Sequence, residues 1–227
     1  VRRTVKFAPL RAVHLPSAES FLVTAVPLPV SDSAPVACDE AAIADTRRWL
    51  ERAVIGLNLC PFAKAVHAKA QVRYAACATA SEGDLLDALE SEAKSLVAED
   101  PRRLDTTLLI ATGCLRDFLD FNDFLGRAER RLRRAGFDGV LQLASFHPDY
   151  CFAGTEPDDV TNCTNRAPWP TLHLLRETSL DRAVEAFPEA EAIYERNMET
   201  LERIGSAGWS ALDVSAGAAH RAAGEGV

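Results

Sequence analysis

Three stretches of the chain carry residue types that could do chemistry. The first is Asn58-Leu59-Cys60-Pro61-Phe62-Ala63-Lys64. Proline favours the first position of a helix, which would place Cys60 at the N-cap. A thiol there faces unsatisfied amides and the positive end of the helix dipole, and its pKa falls. Lys64, one turn on, adds to the effect, and the chemistry would be that of a nucleophilic thiolate. The competing reading is a buried structural cysteine. The second stretch is Leu143-Ala144-Ser145-Phe146-His147-Pro148. Strand alternation places Ser145 and His147 on one face with Leu141 and Leu143. A histidine at the carboxyl end of an interior strand suits a general base or a ligand; it could equally be held by loop backbone. The third stretch runs from Thr164 to Glu177. His173 lies in an otherwise apolar strand and needs a partner, either in catalysis or within the core. Asn165 and Arg166 precede it on a loop, where an arginine suits bidentate capture of a carboxylate or phosphate. Arg73 and Arg176 are possible neighbours that would complete an anion pocket. The alternative is an Arg166 that braces its loop by pairing with Asp158 or Asp159.

Two further patterns are weaker. His147, Cys151, Cys163 and His173 have the right types for zinc, but their spacing matches no familiar finger. Cys60-Pro61-Phe62-Ala63 is half of a thioredoxin-type motif whose second cysteine is absent, and the segment before it reads as helix where that fold has a strand. The basic run Arg127, Arg130, Arg131, Arg133 and Arg134 reads as a solvated helix face near the helix C-terminus.

The elements that must position these residues follow from periodicity. Ile43, Trp49, Leu50, Val54 and Leu57 recur at helical spacing, with Asp39 as a candidate cap. Gln71 to Cys77 reads as a strand. Ser81 and Asp84 open a helix lined by Leu85, Leu89, Ala93, Leu96 and Val97, which Pro101 stops. Thr106 to Ala111 is a continuous β-type run. Phe118, Phe121, Leu125, Ala128 and Leu132 mark a helix closed by Gly136. Val140 to Phe146 and Thr171 to Arg176 are strands, followed by helices from about Leu180 and from Glu189. This alternation predicts an α/β fold: a single domain over 39–209 with a small, mostly parallel sheet covered by helices. Pro148 to Pro170 is a long loop, expected to be functional, at the strand ends where parallel sheets bind ligands.

The ends of the chain read differently. Residues 1–40 are charge-neutral, so the net charge of −8 belongs to the remainder. Pro9, Pro16, Pro27, Pro29 and Pro35 crowd this stretch, and residues 1–38 are expected to be a disordered extension. The same prolines interrupt each apolar run that a secretory signal would need. Residues 210–227, rich in Ala, Gly and Ser, are expected to be a flexible tail. An apolar fraction of 48% suits a folded soluble chain. No apolar run approaches the ~20 residues of a membrane span. The acidic balance argues against a nucleic-acid partner.

Taken together, Gly56-Leu57-Asn58-Leu59-Cys60-Pro61-Phe62-Ala63, Ser145-Phe146-His147-Pro148 and Thr164-Asn165-Arg166-Ala167-Pro168-Trp169-Pro170-Thr171-Leu172-His173-Leu174-Leu175-Arg176 resemble an uncharacterised bacterial family, domain of unknown function fourteen-fifteen, over about residues 41–208. The resemblance implies a soluble bacterial protein and brings no activity with it.

The residues then point first to a small cytoplasmic enzyme, a Cys/His-dependent hydrolase or transferase acting on an anionic small molecule. Cys60 would be the nucleophile, His147 or His173 the base, and Arg73, Asn165, Arg166 and Arg176 the anion binders. One alternative is a metal-binding protein using His147 and His173, completed by Cys60, His67, Asp149 or Glu177. Another is a non-catalytic module that binds a metabolite. The cofactor and the oligomeric state are left open by the sequence.

Overall fold

The computed structural model describes residues 34–186 and 192–217. Residues 1–33 of the extension expected over 1–38, and residues 218–227 of the tail expected over 210–227, lie outside the described residues. Helix α1 (Ala34–Trp49) starts upstream of Asp39, so 34–38 are helical and Asp39 is not a cap. Its carboxylate instead accepts a hydrogen bond from Thr112 Oγ1 at 2.8 Å. The helix continues as a π-helical segment, Leu50–Ile55. The order is then α2 (Ala63–Ala68), β1 (Val72–Cys77), α3 (Glu82–Ala98), β2 (Thr106–Ala111), α4 (Phe118–Arg134), β3 (Leu141–Phe146), a 3-10 turn (Val160–Thr164), β4 (Thr171–Arg176), α5 (Glu177–Ala186) and α6 (Ile193–Ala211).

Local chemistry explains the main boundaries. Ser81 Oγ accepts from the Asp84 amide at 3.3 Å, capping α3. The Asp117 carboxylate accepts from the amides of Leu119 and Asp120 at 2.8 and 3.1 Å, capping α4. Each cap contributes about 1 kcal/mol. All six residues of β2 are buried, as expected of a central strand covered on both faces.

The four strands lie in the order β1-β2-β4-β3. The β1–β2 pair is parallel, while β4 runs antiparallel to both β2 and β3. The expectation of a mostly parallel sheet is therefore corrected: the fold is α/β, but most pairings are antiparallel. Strands β1, β2 and β3 do share one direction, because a helix carries the chain back between each. No helix returns the chain between β3 and β4. The 147–170 loop leaves and re-enters at one end of the sheet, so β4 must run backwards.

Helices cover both faces. One face packs on α3 and α4 through Leu85, Leu89, Leu96, Phe121, Phe124, Leu172 and Leu174. Each is fully buried, and each such burial contributes about 1.5–3 kcal/mol. Arg127 and Arg131 of α4, read from the sequence as solvated, pair with Glu82, Asp87 and Glu90 of α3. The other face packs on α1 and the π-helical segment through Trp49, Ala53, Val54, Tyr74 and Phe146. Residues 212–217, which composition placed in the flexible tail, dock here as well. Val214 is buried, Arg48 pairs with Asp213, and the Gly217 amide donates to Asp45 Oδ2 at 2.7 Å.

Candidate functional site

The 147–170 loop is ordered from within. Asn162, fully buried, accepts from the Phe152 amide at 2.9 Å and from Thr155 Oγ1 at 2.8 Å, and donates to the Glu156 carbonyl at 2.8 Å. Arg166 donates to the carbonyls of Tyr150 at 3.2 Å and Pro157 at 2.5 Å. It also lies near Asp159, whose carboxyl is held below its usual range, chiefly by Thr161. Asn165 Nδ2 donates to the Ser145 carbonyl at 3.2 Å, and the Asn165 carbonyl accepts from the His147 amide at 3.2 Å. Asn165 and Arg166 thus brace the loop they stand on.

His147 is fully buried between Phe118 and Phe121, with ring centroids 5.4 and 5.1 Å away. The Asp149 amide donates to Nδ1 at 3.0 Å, so the proton sits on Nε2, which donates to the Leu115 carbonyl at 3.1 Å. Burial lowers its pKa. Both ring nitrogens are committed in the neutral form, which leaves His147 no free lone pair with which to act as a base.

His173 lies on the opposite face, near Phe146, with ring centroids 6.1 Å apart. Thr106 Oγ1 donates its one proton to the Leu174 carbonyl at 2.6 Å, so at 2.6 Å from His173 Nε2 it must be the acceptor. Desolvation alone pushes the His173 pKa down from 6.5 to about 4. The sign follows from linkage. The unfolded chain binds the proton more tightly, so this stabilisation is complete above pH 6.5 and disappears as the pH falls towards 4. The loss is on the order of 3 kcal/mol. Urea denaturation between pH 7 and 4 should show it, and His173→Gln, which keeps a donor for Thr106, should flatten the slope. Equal slopes for the two proteins would refute this account.

Cys60 packs into the cluster of Trp49, Leu50, Val54 and Ala167. Burial pushes its thiol up, and hydrogen bonds from the Phe62 and Ala63 amides only partly oppose this. Helix α2 starts at Ala63 with Phe62 at its N-cap, so the expected N-cap position of Cys60 is corrected. The Phe62 and Ala63 amides still face the sulfur, but desolvation outweighs them. The thiol is stored neutral, and the two histidines are held on opposite sides of the sheet.

The arginines are also dispersed. Arg73 pairs with Glu92 of α3 through two hydrogen bonds, at 2.7 and 3.0 Å. Arg176 is buried at the far end of β4. There it donates to the carbonyls of Leu96, Glu99 (2.8 Å) and Leu104 (3.2 Å), closing the C-terminus of α3. Arg73, Arg166 and Arg176 therefore do not form one anion pocket. Nor do His147, Cys151, Cys163 and His173 gather. Cys163 packs against Leu59 and Leu201, and the Cys151 thiol faces the carbonyls of Phe152 and Thr155. Among the described residues no group of three or more His, Cys, Asp or Glu side chains could hold a metal ion.

The first motif nevertheless borders an open site. Leu57, Asn58 and Pro61 face Arg196, Asn197 and Thr200 of α6 across a cleft of about 230 Å³. Asn58 ends the helical run in the left-handed conformation, with φ 56°. Asparagine tolerates this better than most residues. Asn197 Nδ2 donates to the Leu59 carbonyl at 2.9 Å and ties the loop to α6. Ile193 and Glu199 complete the lining, whereas Cys60 faces the interior instead. Sequence reasoning missed this site, although a signal existed. Ile193, Asn197 and Leu201 form one buried stripe of α6, and a polar residue within it needs a partner. The π-helical segment that leads into the loop was also missed; such segments are frequent at functional sites. Beside it, Thr46 Oγ1, Trp49 Nε1 and Tyr74 OH are buried with no hydrogen-bond partner among the described residues.

The family model described as a protein of unknown function (DUF1415) matches residues 41–211. No curated protein matches the chain, and no solved structure does.

Proposed function

We propose that this chain, which belongs to the DUF1415 family over residues 41–211, binds a small anionic molecule between the 57–61 loop and α6. The observation that supports this is the cleft itself, which combines the Arg196 guanidinium with the Asn58 amide and the Thr200 hydroxyl. A guanidinium flanked by neutral donors suits a carboxylate or phosphate group. Glu199, on the same wall, favours a ligand that also carries a hydrogen-bond donor. At about 230 Å³ the site is smaller than the pockets of drug-sized ligands, which points to a metabolite. The reading keeps the anionic ligand expected from the sequence and moves it to a different arginine. It assigns binding and no covalent step, because Cys60 is a neutral, desolvated thiol and both nitrogens of His147 are occupied.

Thermal denaturation of the full chain against a panel of small carboxylates, amino acids and phosphate tests the proposal. A ligand at about 100 times its Kd stabilises by about 2.7 kcal/mol, a shift of several degrees. Arg196→Gln should abolish that shift. Asn58→Gly, which preserves the left-handed backbone and removes only the amide, should reduce it. A shift that survives both substitutions, or none from any compound in the panel, would rule the site out.

A further inference from the structure

A second feature lies at the β1 edge of the sheet, where β1 and β2 end side by side. Cys77 pairs with Ala111 in the parallel register, and the ladder runs one step further, with the Thr112 amide donating to the Cys77 carbonyl at 3.0 Å. The chain leaving β2 then presses on the chain leaving β1. A Cβ placed on Gly113 would meet the Ala78 carbonyl oxygen at 2.2 Å, so only glycine allows this approach. Cys77 and, next after Gly113, Cys114 pack against the edge of the same core cluster, and both are partly exposed. Burial raises the Cys114 thiol pKa, and the neighbouring Cys77 and Glu82 raise it further. Cys60 and Cys163 sit in separate clusters.

We propose that Cys77 and Cys114 form a dithiol that small disulfides oxidise to an intramolecular Cys77–Cys114 bond. One protein thiol, deprotonated, attacks a sulfur of the small disulfide, forming a mixed disulfide and releasing one small thiol. The second protein thiol then attacks the protein sulfur of that bond and releases the other small thiol. Two protein thiols lose two protons and two electrons, and the small disulfide is reduced to two thiols. The new bond joins the last residue of β1 to the 112–117 turn. The latter carries the Leu115 carbonyl that His147 holds, so oxidation would clamp the carboxyl end of the sheet. This inference is independent of the cleft at α6.

Peptide mapping without reduction tests it directly. The native full chain is incubated with oxidised glutathione, its remaining thiols are alkylated, and it is cut with trypsin. Cleavage after Arg73 and Lys94, and after Arg103 and Arg116, puts the two cysteines in separate peptides, 74–94 and 104–116, each with a single cysteine. The expected product is these two peptides linked, lost on reduction, with two equivalents of glutathione released per bond. In Cys77→Ser or Cys114→Ser the linked product should vanish and a stable mixed disulfide should accumulate on the remaining cysteine. Mixed disulfides on both cysteines with no linkage would overturn the proposal. So would links to other cysteines in their place, or reaction of these two only after denaturation.

Discussion

Replacing His147 with alanine is expected to destabilise the domain by about 3–5 kcal/mol, a large share of the stability of an ordinary domain. Three losses add. The imidazole is fully buried and fills space between Phe118 and Phe121, so its removal leaves a cavity. The Asp149 amide and the Leu115 carbonyl each lose their partner on the ring. A buried group left unsatisfied costs about 1–3 kcal/mol. Leu115 already has φ 58°, so the hydrogen bond to its carbonyl helps to hold a backbone conformation that leucine disfavours. His147→Asn, which offers one donor and one acceptor on a shorter side chain, should recover part of the loss. Urea denaturation at pH 7 measures both variants. A loss below about 1 kcal/mol in the alanine variant would mean that the contacts described are not what keeps His147 in place, and a chemical role would return to consideration.

Asn162→Ala should cost about 2–4 kcal/mol, concentrated in the 147–170 loop. The side chain accepts two hydrogen bonds and donates one to three separate points of the loop. Alanine would strand all of them inside the protein. Asn162→Asp is the sharper variant, since it keeps the shape and the acceptors but turns an oxygen towards the Glu156 carbonyl. It should also destabilise, and less so at low pH, where the carboxyl can regain a donor. Limited proteolysis should find the loop cut in both variants before global unfolding. Wild-type rates of loop cleavage in both would remove Asn162 from its position as the organiser of the loop.

The strands were legible because their signal is local. Thr106 to Ala111 and Thr171 to Arg176 are β-type runs whose bounds agree with the structure, and Ser81 marked the start of α3 through a cap that depends only on the residues beside it. Strand direction was not local. It depended on whether a helix interrupts the path from Phe146 to Thr171, and the long proline-bearing loop already indicated that none does. At the site, sequence reasoning could identify residues that need partners but not which partners they have. His147 and Arg166 were each read as either chemical or structural, and Asn165 as an anion binder; their contacts are with backbone carbonyls and amides. Backbone groups carry no side-chain signature, so no motif announces them. Cys60 depended on a balance. Its flanking proline suggested a helix start two residues too early. Amides face the sulfur all the same, but the sequence contains no measure of the apolar cluster that outweighs them.

The position of β4 also sets an order of events. Among the described residues it is the last strand, and it is the inner partner of both β2 and β3. A ribosome that has released the chain only as far as residue 146 has supplied everything needed for the β1-α3-β2 unit, but β3 has no neighbour to pair with. Half the sheet must wait for residues 171–176 to emerge, and during that interval the unpaired backbone edges of β2 and β3 are open to other chains. Nascent chains stalled before and after this point should therefore differ sharply in their need for a chaperone.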